Sequence, residues 1–304
     1  PQPSHGYWMP LTSMLAALGM WLTGSQQLWA GRLGFLGLAA LLPVFTAALS
    51  LSFTRQRGQA WLAGLLAVFS AFYFPYMGIT DAFGLFMLFG VLFWLLLRWA
   101  PSGNGWRQLL FPLSLGALAG GMHLSRADGL LWLSVAGLAA VWHGSPDKSH
   151  MDKFRTDWSN RAMQAALCGL GYLLIIGPWL LRNQSVFGTL LSPGGSQALW
   201  MTDYDELFIY PASLLTLQRW WASGLGAILG DRAWAFGLNL QTAIAVQGEV
   251  FLLPLILAGL WKLRRETSVR WGVFAWLLTF GVMTLVFPYA GARGGFFHSG
   301  AAFQ

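Results

Sequence analysis

Charge is what this chain has least of. Only 10% of its 304 residues are Asp, Glu, Lys or Arg. Soluble domains carry about 25%, so most of this chain does not face water. Acidic residues are the scarcer sign, 11 against 18 basic, leaving a formal charge of +7. In a soluble protein that balance would suggest nucleic acid. Here the basic residues lie in short loops between apolar runs, so membrane topology accounts for them and no nucleic-acid partner is expected. Cysteine is nearly absent. The single Cys168 excludes an intrachain disulfide and a thiolate metal cluster. Lying in an apolar run, it reads as a small helix-packing residue. Also missing are a P-loop, a zinc-binding His pair, a nucleophile elbow and a dinucleotide fingerprint. No signal peptide, fixed-period repeat or inverted half-repeat is visible. The sequence begins at Pro1 and stops at Gln304 after a Gly-rich stretch, which leads us to expect a piece of a longer protein.

What is abundant is apolar. Hydrophobic residues make up 56% of the chain, and 18 tryptophans cluster near the ends of apolar runs. Indole rings favour the headgroup region, so this pattern resembles aromatic belts. A spanning helix needs about 20 apolar residues. On that basis the sequence predicts an all-α, polytopic membrane helix bundle in a single transmembrane domain. Its eight spans are at about 29–53, 59–79, 82–99, 107–123, 127–143, 162–182, 246–263 and 271–289. A shorter apolar helix at 10–24 is expected to lie at the interface.

Orientation follows from Lys and Arg. With Pro1 outside, the inner loops hold Arg55, Arg57, Arg98, Arg107, Lys148, Lys153, Arg155, Arg161, Lys262, Arg264, Arg265 and Arg270. Arg32, Arg126, Arg182, Arg219, Arg232 and Arg293 are left outside, so the positive-inside rule favours this orientation. It depends on the tight turns at 80–81 and 124–126. One long outer connection, about 183–245, opens with Ser192-Pro193-Gly194-Gly195-Ser196 and carries the acidic run Asp203-Tyr204-Asp205-Glu206. Leu214, Leu217, Trp221, Leu225 and Ile228 then follow at helical spacing, which predicts an amphipathic helix lying on the membrane or capping the bundle.

Ionisable residues at the outer helix ends are the candidate site. Asp81, in Gly78-Ile79-Thr80-Asp81, offers a carboxylate to hold a hydroxyl, bind a metal or act as a base; it could instead cap the next helix. Arg126 and Asp128, in Leu124-Ser125-Arg126-Ala127-Asp128-Gly129, form either a salt-bridged turn or a phosphate grip. Arg182 ends a helix beside Pro178, where snorkelling is the alternative. Asp205 belongs to the acidic run, which alternatively is a solvated loop face. Arg293 and His298, in Arg293-Gly294-Gly295-Phe296-Phe297-His298-Ser299, could grip an anion, and His5 stands before Pro10. Acidic, Arg and His residues thus converge on one predicted face.

These segments resemble membrane glycosyltransferases of the GT-C fold, including the protein O-mannosyltransferase and aminoarabinose transferase families. The likeness rests on His5-Gly6-Tyr7-Trp8-Met9-Pro10-Leu11, Thr80-Asp81, Leu124–Gly129, and Pro178-Trp179-Leu180-Leu181-Arg182-Asn183 followed by Phe187-Gly188-Thr189 and Ser192-Pro193-Gly194-Gly195. Each motif is short; their order through most of the chain carries the resemblance, most closely to bacterial members. It implies a polyprenyl-phosphate sugar donor and a lipid, glycan or protein acceptor. It also implies inverting transfer on the extracytoplasmic side of the inner membrane, with a divalent metal ion as a possible cofactor. The family's base lies in a first outer loop, expected here upstream of Pro1. Asp81 resembles the second acidic position, and Arg126, Arg182 and His5 become phosphate-site candidates. Two other readings remain open: a transporter or flippase, and a non-catalytic membrane protein of the same fold.

Overall fold

The computed structural model describes residue 5 and residues 8–101, 105–143, 153–191, 198–208 and 212–304. Gly6, Tyr7, Lys148 and the Ser192–Ser196 turn lie outside the described residues. Every regular element among the described residues is helical. The principal helices are α1 (Leu11–Thr23), α2 (Leu28–Thr54), α3 (Arg57–Val68), α4 (Phe83–Arg98), α5 (Trp106–Ser125) and α6 (Leu130–His143). They continue with α7 (Lys153–Phe187), α8 (Leu217–Ala222), α9 (Leu225–Thr242), α10 (Leu253–Lys262), α11 (Thr267–Gly281) and α12 (Phe296–Gly300). Three stretches are long and apolar enough to cross a membrane: Leu28–Thr54, Trp158–Phe187 and Thr267–Val286.

Of the other expected spans, 107–123 is the continuous 20-residue α5, 82–99 and 127–143 are the shorter α4 and α6, and two are broken. The run at 59–79 is α3 followed by a 3₁₀ turn, Ala71–Tyr76, which contains Pro75. α3 already ends at Val68, and Pro75, with no N–H to donate, does not help the ladder resume, although α2, α5 and α7 accommodate Pro43, Pro112 and Pro178. The run at 246–263 contributes only α10, preceded by a π-helical turn, Ala243–Gln247, and a bend. In that bend Glu249 and Val250 adopt φ of 45° and 50°, unfavourable for side chains with a Cβ. The connection expected at 183–245 is shorter than the sequence suggested, because the 18-residue α9 occupies Leu225–Thr242 of it. The amphipathic segment is not one helix. It breaks between α8 and α9 at Gly224, whose φ of 85° suits glycine.

The centre of the bundle is α4. Its sixteen residues, FGLFMLFGVLFWLLLR, are apolar up to Arg98 and mostly buried. A helix that is apolar all round belongs in an interior. Around it pack α2, α5 and the segment after α11. The closest helix pair is α5 with α7. A Cβ added at Gly116 would lie 1.9 Å from the Cys168 carbonyl oxygen, and one at Gly171 would lie 2.0 Å from that of Leu113. Small residues let membrane helices approach to backbone contact, and Cys168 is buried in this seam.

The two ends of the bundle differ. Arg98 pairs with Glu266 at 3.6 Å and donates to the Ser52 carbonyl at 3.2 Å, so the ends of α2 and α4 meet the start of α11. Asp81 lies just before α4, about 24 Å away along the helix axis. The chain beyond α11 folds back beside α4. Trp94 Nε1 donates to the Ala302 carbonyl at 3.2 Å, and Phe303 stacks on Trp132 at 5.5 Å.

Candidate functional site

Three separate chain segments meet at the Asp81 end. The first is the turn before α4. Asp81 Oδ1 accepts the Ala82 N–H at 2.5 Å, and Oδ2 faces His298 Nε2 at 3.6 Å. Asp81 is not the N-cap of α4, a position that Ala82 occupies without a side-chain cap. The imidazole is held by its neighbours: Nδ1 lies 2.8 Å from the Gly294 carbonyl, and the ring stacks on Phe83 at 4.1 Å. A carbonyl only accepts, so Nδ1 carries a proton. Nε2 is therefore the ring nitrogen left facing the carboxylate. Burial pushes the Asp81 carboxyl up. The imidazole of His298, the Ala82 N–H and the charge of Arg126 outweigh that and hold it below its ordinary value.

The second segment is the junction of α5 and α6. Arg126 Nε donates to Asp128 Oδ1 at 2.8 Å, with both side chains largely buried. The salt-bridged turn is thus present. Asp128 does not cap α6: its other oxygen accepts the Ser299 hydroxyl, which binds it to α12. A hydrogen bond across 171 residues has no local sequence signature, and Ser299 had no assigned role in the sequence reading. Beneath this junction His123 Nδ1 meets the Tyr172 hydroxyl at 2.5 Å, tying α5 to α7.

The third segment is the return after α11. Gly294 has φ 116°, which only glycine tolerates readily, and it redirects the chain so that His298 and Ser299 face the two acidic residues. Phe297 stacks on Tyr73 at 4.8 Å, and its carbonyl accepts the Tyr73 hydroxyl at 2.8 Å. Phe297 and Tyr76 also form one wall of a lateral groove of ≈ 570 Å³, completed by Phe72, Pro75, Thr242 and Val246. This aromatic wall touches Phe83, the ring under His298.

Asp81, Arg126, Asp128 and His298 therefore belong to one cluster. The other candidates do not join it directly. His5 sits edge-on to Trp179 at 5.9 Å and meets the Ser13 hydroxyl at 3.0 Å. Arg182 lies over the other side of this neighbourhood, 4.7 Å from Trp179 and 5.1 Å from Phe187. Arg293 stacks over Tyr204 at 5.2 Å and Trp234 at 5.8 Å. Asp205 is exposed, and its backbone N–H binds Asp203 at 2.8 Å.

The structurally important acid of that run is Glu206. It accepts the Thr202 N–H at 2.7 Å, the Thr202 hydroxyl at 2.9 Å and the Arg219 guanidinium. Burial pushes its carboxyl up, and these donors with the Arg219 charge hold it below its ordinary value.

No three His, Cys, Asp or Glu residues converge as metal ligands among the described residues. Asp128 is also engaged by Arg126 and Ser299. The described side chains thus do not build a complete protein-held divalent site. No protein family, curated protein or solved structure matches this chain.

Proposed function

We propose that this chain is a membrane glycosyltransferase of the GT-C type, acting at the Asp81 end of its bundle on a sugar carried by a polyprenyl phosphate. The observation that carries the reading is the meeting of Asp81, His298, Arg126 and Asp128 beside a lateral aromatic groove. A lipid-linked substrate needs an apolar path for its chain and a polar end for its headgroup. The groove supplies the first and the cluster the second. In this reading the end bearing Asp81 faces away from the cytoplasm, as the basic loops suggest. The remaining apolar helices join the three long ones in crossing the membrane.

The chemistry is a displacement at the anomeric carbon. An acceptor hydroxyl attacks, the bond from that carbon to the lipid-phosphate oxygen breaks, and the configuration inverts. The acceptor proton passes to a carboxylate base, and the electron pair of the broken bond leaves on the phosphate. Ionised Asp81 orients the hydroxyl groups at the reacting centre. Arg126 meets the negative charge that grows on the leaving phosphate. His298, 3.6 Å from Asp81 and held by Gly294 and Phe83, keeps the carboxylate aimed.

The test is turnover of purified protein in lipid nanodiscs with a panel of polyprenyl-phosphate sugars. Consumption of a donor by the wild type, lost in Asp81→Asn and with weaker donor binding in Arg126→Ala, supports the reading. Neither binding nor consumption of any such donor removes it.

A transporter or flippase is the second reading. It draws support from the interrupted helices at the 3₁₀ turn Ala71–Tyr76 and the π-helical turn Ala243–Gln247, since broken helices commonly line transport sites. Substrate flux in proteoliposomes without donor cleavage would favour it over glycosyl transfer.

A further inference from the structure

A second groove lies on the opposite side of the 3₁₀ turn. It measures ≈ 630 Å³, and its lining includes Arg32, Leu36, Ala40 and Pro43 of α2 with Phe74 and Ile79 of the following turn. The groove exists because α3 stops at Val68 and the chain crosses over as a 3₁₀ turn, leaving the face of α2 uncovered. On α2 the lining residues Arg32, Leu36, Ala39, Ala40 and Pro43 follow helical spacing, so they form one stripe. That stripe runs about 16 Å along the helix.

Arg32 is the one charge in this lining. Its side chain is exposed, and it makes no hydrogen bond or ion pair with any described residue. Its level in the membrane follows from α2 itself. The helix has 27 residues, about 40 Å at 1.5 Å per residue, whereas the hydrocarbon core is about 30 Å thick. Centring the helix leaves about 5 Å at each end in the headgroup layer. Arg32 is four residues into the helix, about 6 Å from its start, and thus at the boundary where lipid phosphates lie. Trp29, an interfacial residue type, is three positions earlier. Its level at the Asp81 end is confirmed by Gly31, whose added Cβ would lie 4.0 Å from Thr80. Lys and Arg are sparse at that end in the proposed orientation, so an unpartnered Arg there calls for an anionic partner.

We propose that this groove is a binding site for an anionic glycerophospholipid of the surrounding bilayer. The phosphate of the lipid pairs with Arg32, and one acyl chain lies along the Leu36, Ala40 and Pro43 stripe against Phe74 and Ile79. The occupant is a bilayer lipid rather than a reactant, because the 3₁₀ turn stands between this groove and the one walled by Tyr76 and Phe297. The lipid packs on Ile79, two residues before Asp81, and thereby braces the turn that bears the carboxylate. The inference rests on the membrane embedding of α2 and is independent of glycosyl transfer.

The experiment is native mass spectrometry of the full chain released from nanodiscs containing equal phosphatidylglycerol and phosphatidylcholine. The wild type is expected to retain one phosphatidylglycerol about tenfold more than phosphatidylcholine. Arg32→Gln is expected to remove that preference and Arg32→Lys to keep part of it. Ala40→Trp fills the groove from the lipid side at an exposed position and is expected to lower retention of either lipid about tenfold. It decides the matter if Arg32→Gln fails to fold. Asp81→Asn is expected to retain phosphatidylglycerol like the wild type, so loss of donor turnover and loss of the lipid site are read separately. Equal retention of both lipids by the wild type overturns the proposal. So does an unchanged preference in Arg32→Gln, or undiminished retention in Ala40→Trp. Displacement of phosphatidylglycerol by an equal amount of a polyprenyl monophosphate also overturns it, by assigning the groove to the reactant.

Discussion

Replacing Gly116 with Ala tests the packing that supports the Arg126 end of α5. The added methyl would begin 1.9 Å from the Cys168 carbonyl oxygen, 2.8 Å from its carbonyl carbon and 2.9 Å from the Tyr172 nitrogen. All three are backbone atoms, so no rotamer change relieves the clash. An ordinary contact requires well over 3 Å, so α5 and α7 must separate by more than an ångström at this level. Overpacking of this kind costs roughly 1–3 kcal/mol. The better helix propensity of Ala returns about 1 kcal/mol, leaving a net loss of up to about 2 kcal/mol. Gly169, on the same α7, has nothing within 4 Å of its would-be Cβ, so Gly169→Ala is the matched control and should be neutral or slightly stabilising. The assay is reversible denaturation of purified protein in detergent, followed by tryptophan fluorescence. The seam continues to the His123–Tyr172 bond, so Gly116→Ala should also weaken ligand binding at Arg126. Equal stability of Gly116→Ala and Gly169→Ala would refute the close approach of these helices.

Ser299→Ala removes the hydroxyl that meets Asp128. A buried acceptor that loses its donor costs about 1–3 kcal/mol, so the variant should be less stable by that order in the same denaturation assay. The Asp81 carboxyl is held below its ordinary value, so its contribution to stability is complete above the unfolded value and is lost as the pH falls through the folded one. The stability gap between wild type and Asp81→Asn should therefore stay constant above about pH 5 and close only in stronger acid; a gap that closes near neutrality would contradict the assignment. Glu206→Gln keeps the side-chain shape but removes the charge facing Arg219. Limited proteolysis should cut residues 198–224 severalfold faster in this variant, with the α5–α7 seam unchanged.

Helical class and apolar segments were legible from the sequence alone, because a run of apolar residues has few other solutions in a bilayer. The ranges of α2, α4, α5 and α6 followed closely. So did the concentration of candidate residues at helix ends, since charge at a helix centre is expensive in lipid. Where the sequence misled, the cause was backbone chemistry inside an apolar run. The span expected at 59–79 gives way after Val68 to a 3₁₀ turn that contains Pro75, and the bend at Glu249 and Val250 shortens another. Apolar composition records the environment of a segment, and it does not record where the hydrogen-bond ladder breaks. Most of α9 was hidden for the opposite reason: Asp231, Arg232 and several glycines masked its course beyond Ile228, where the expected amphipathic segment ended.

The grouping of the site was decided only in three dimensions. Asp81, Arg126, Asp128 and His298 were each visible as polar residues at helix ends. His5, Arg182, Asp205 and Arg293 looked the same by that criterion. The difference between the two sets comes from the return at Gly294, which brings His298 and Ser299 back against α4 and the α5–α6 junction. Residues 81, 128 and 299 are far apart along the chain, and no local pattern encodes a pairing that arises from how helices pack. The sequence alone thus determined that the chain seeks a membrane and which ends of its helices are polar. The tertiary structure decided which of those ends meet, because close approach at glycine seams and a single left-handed turn set the register between distant helices.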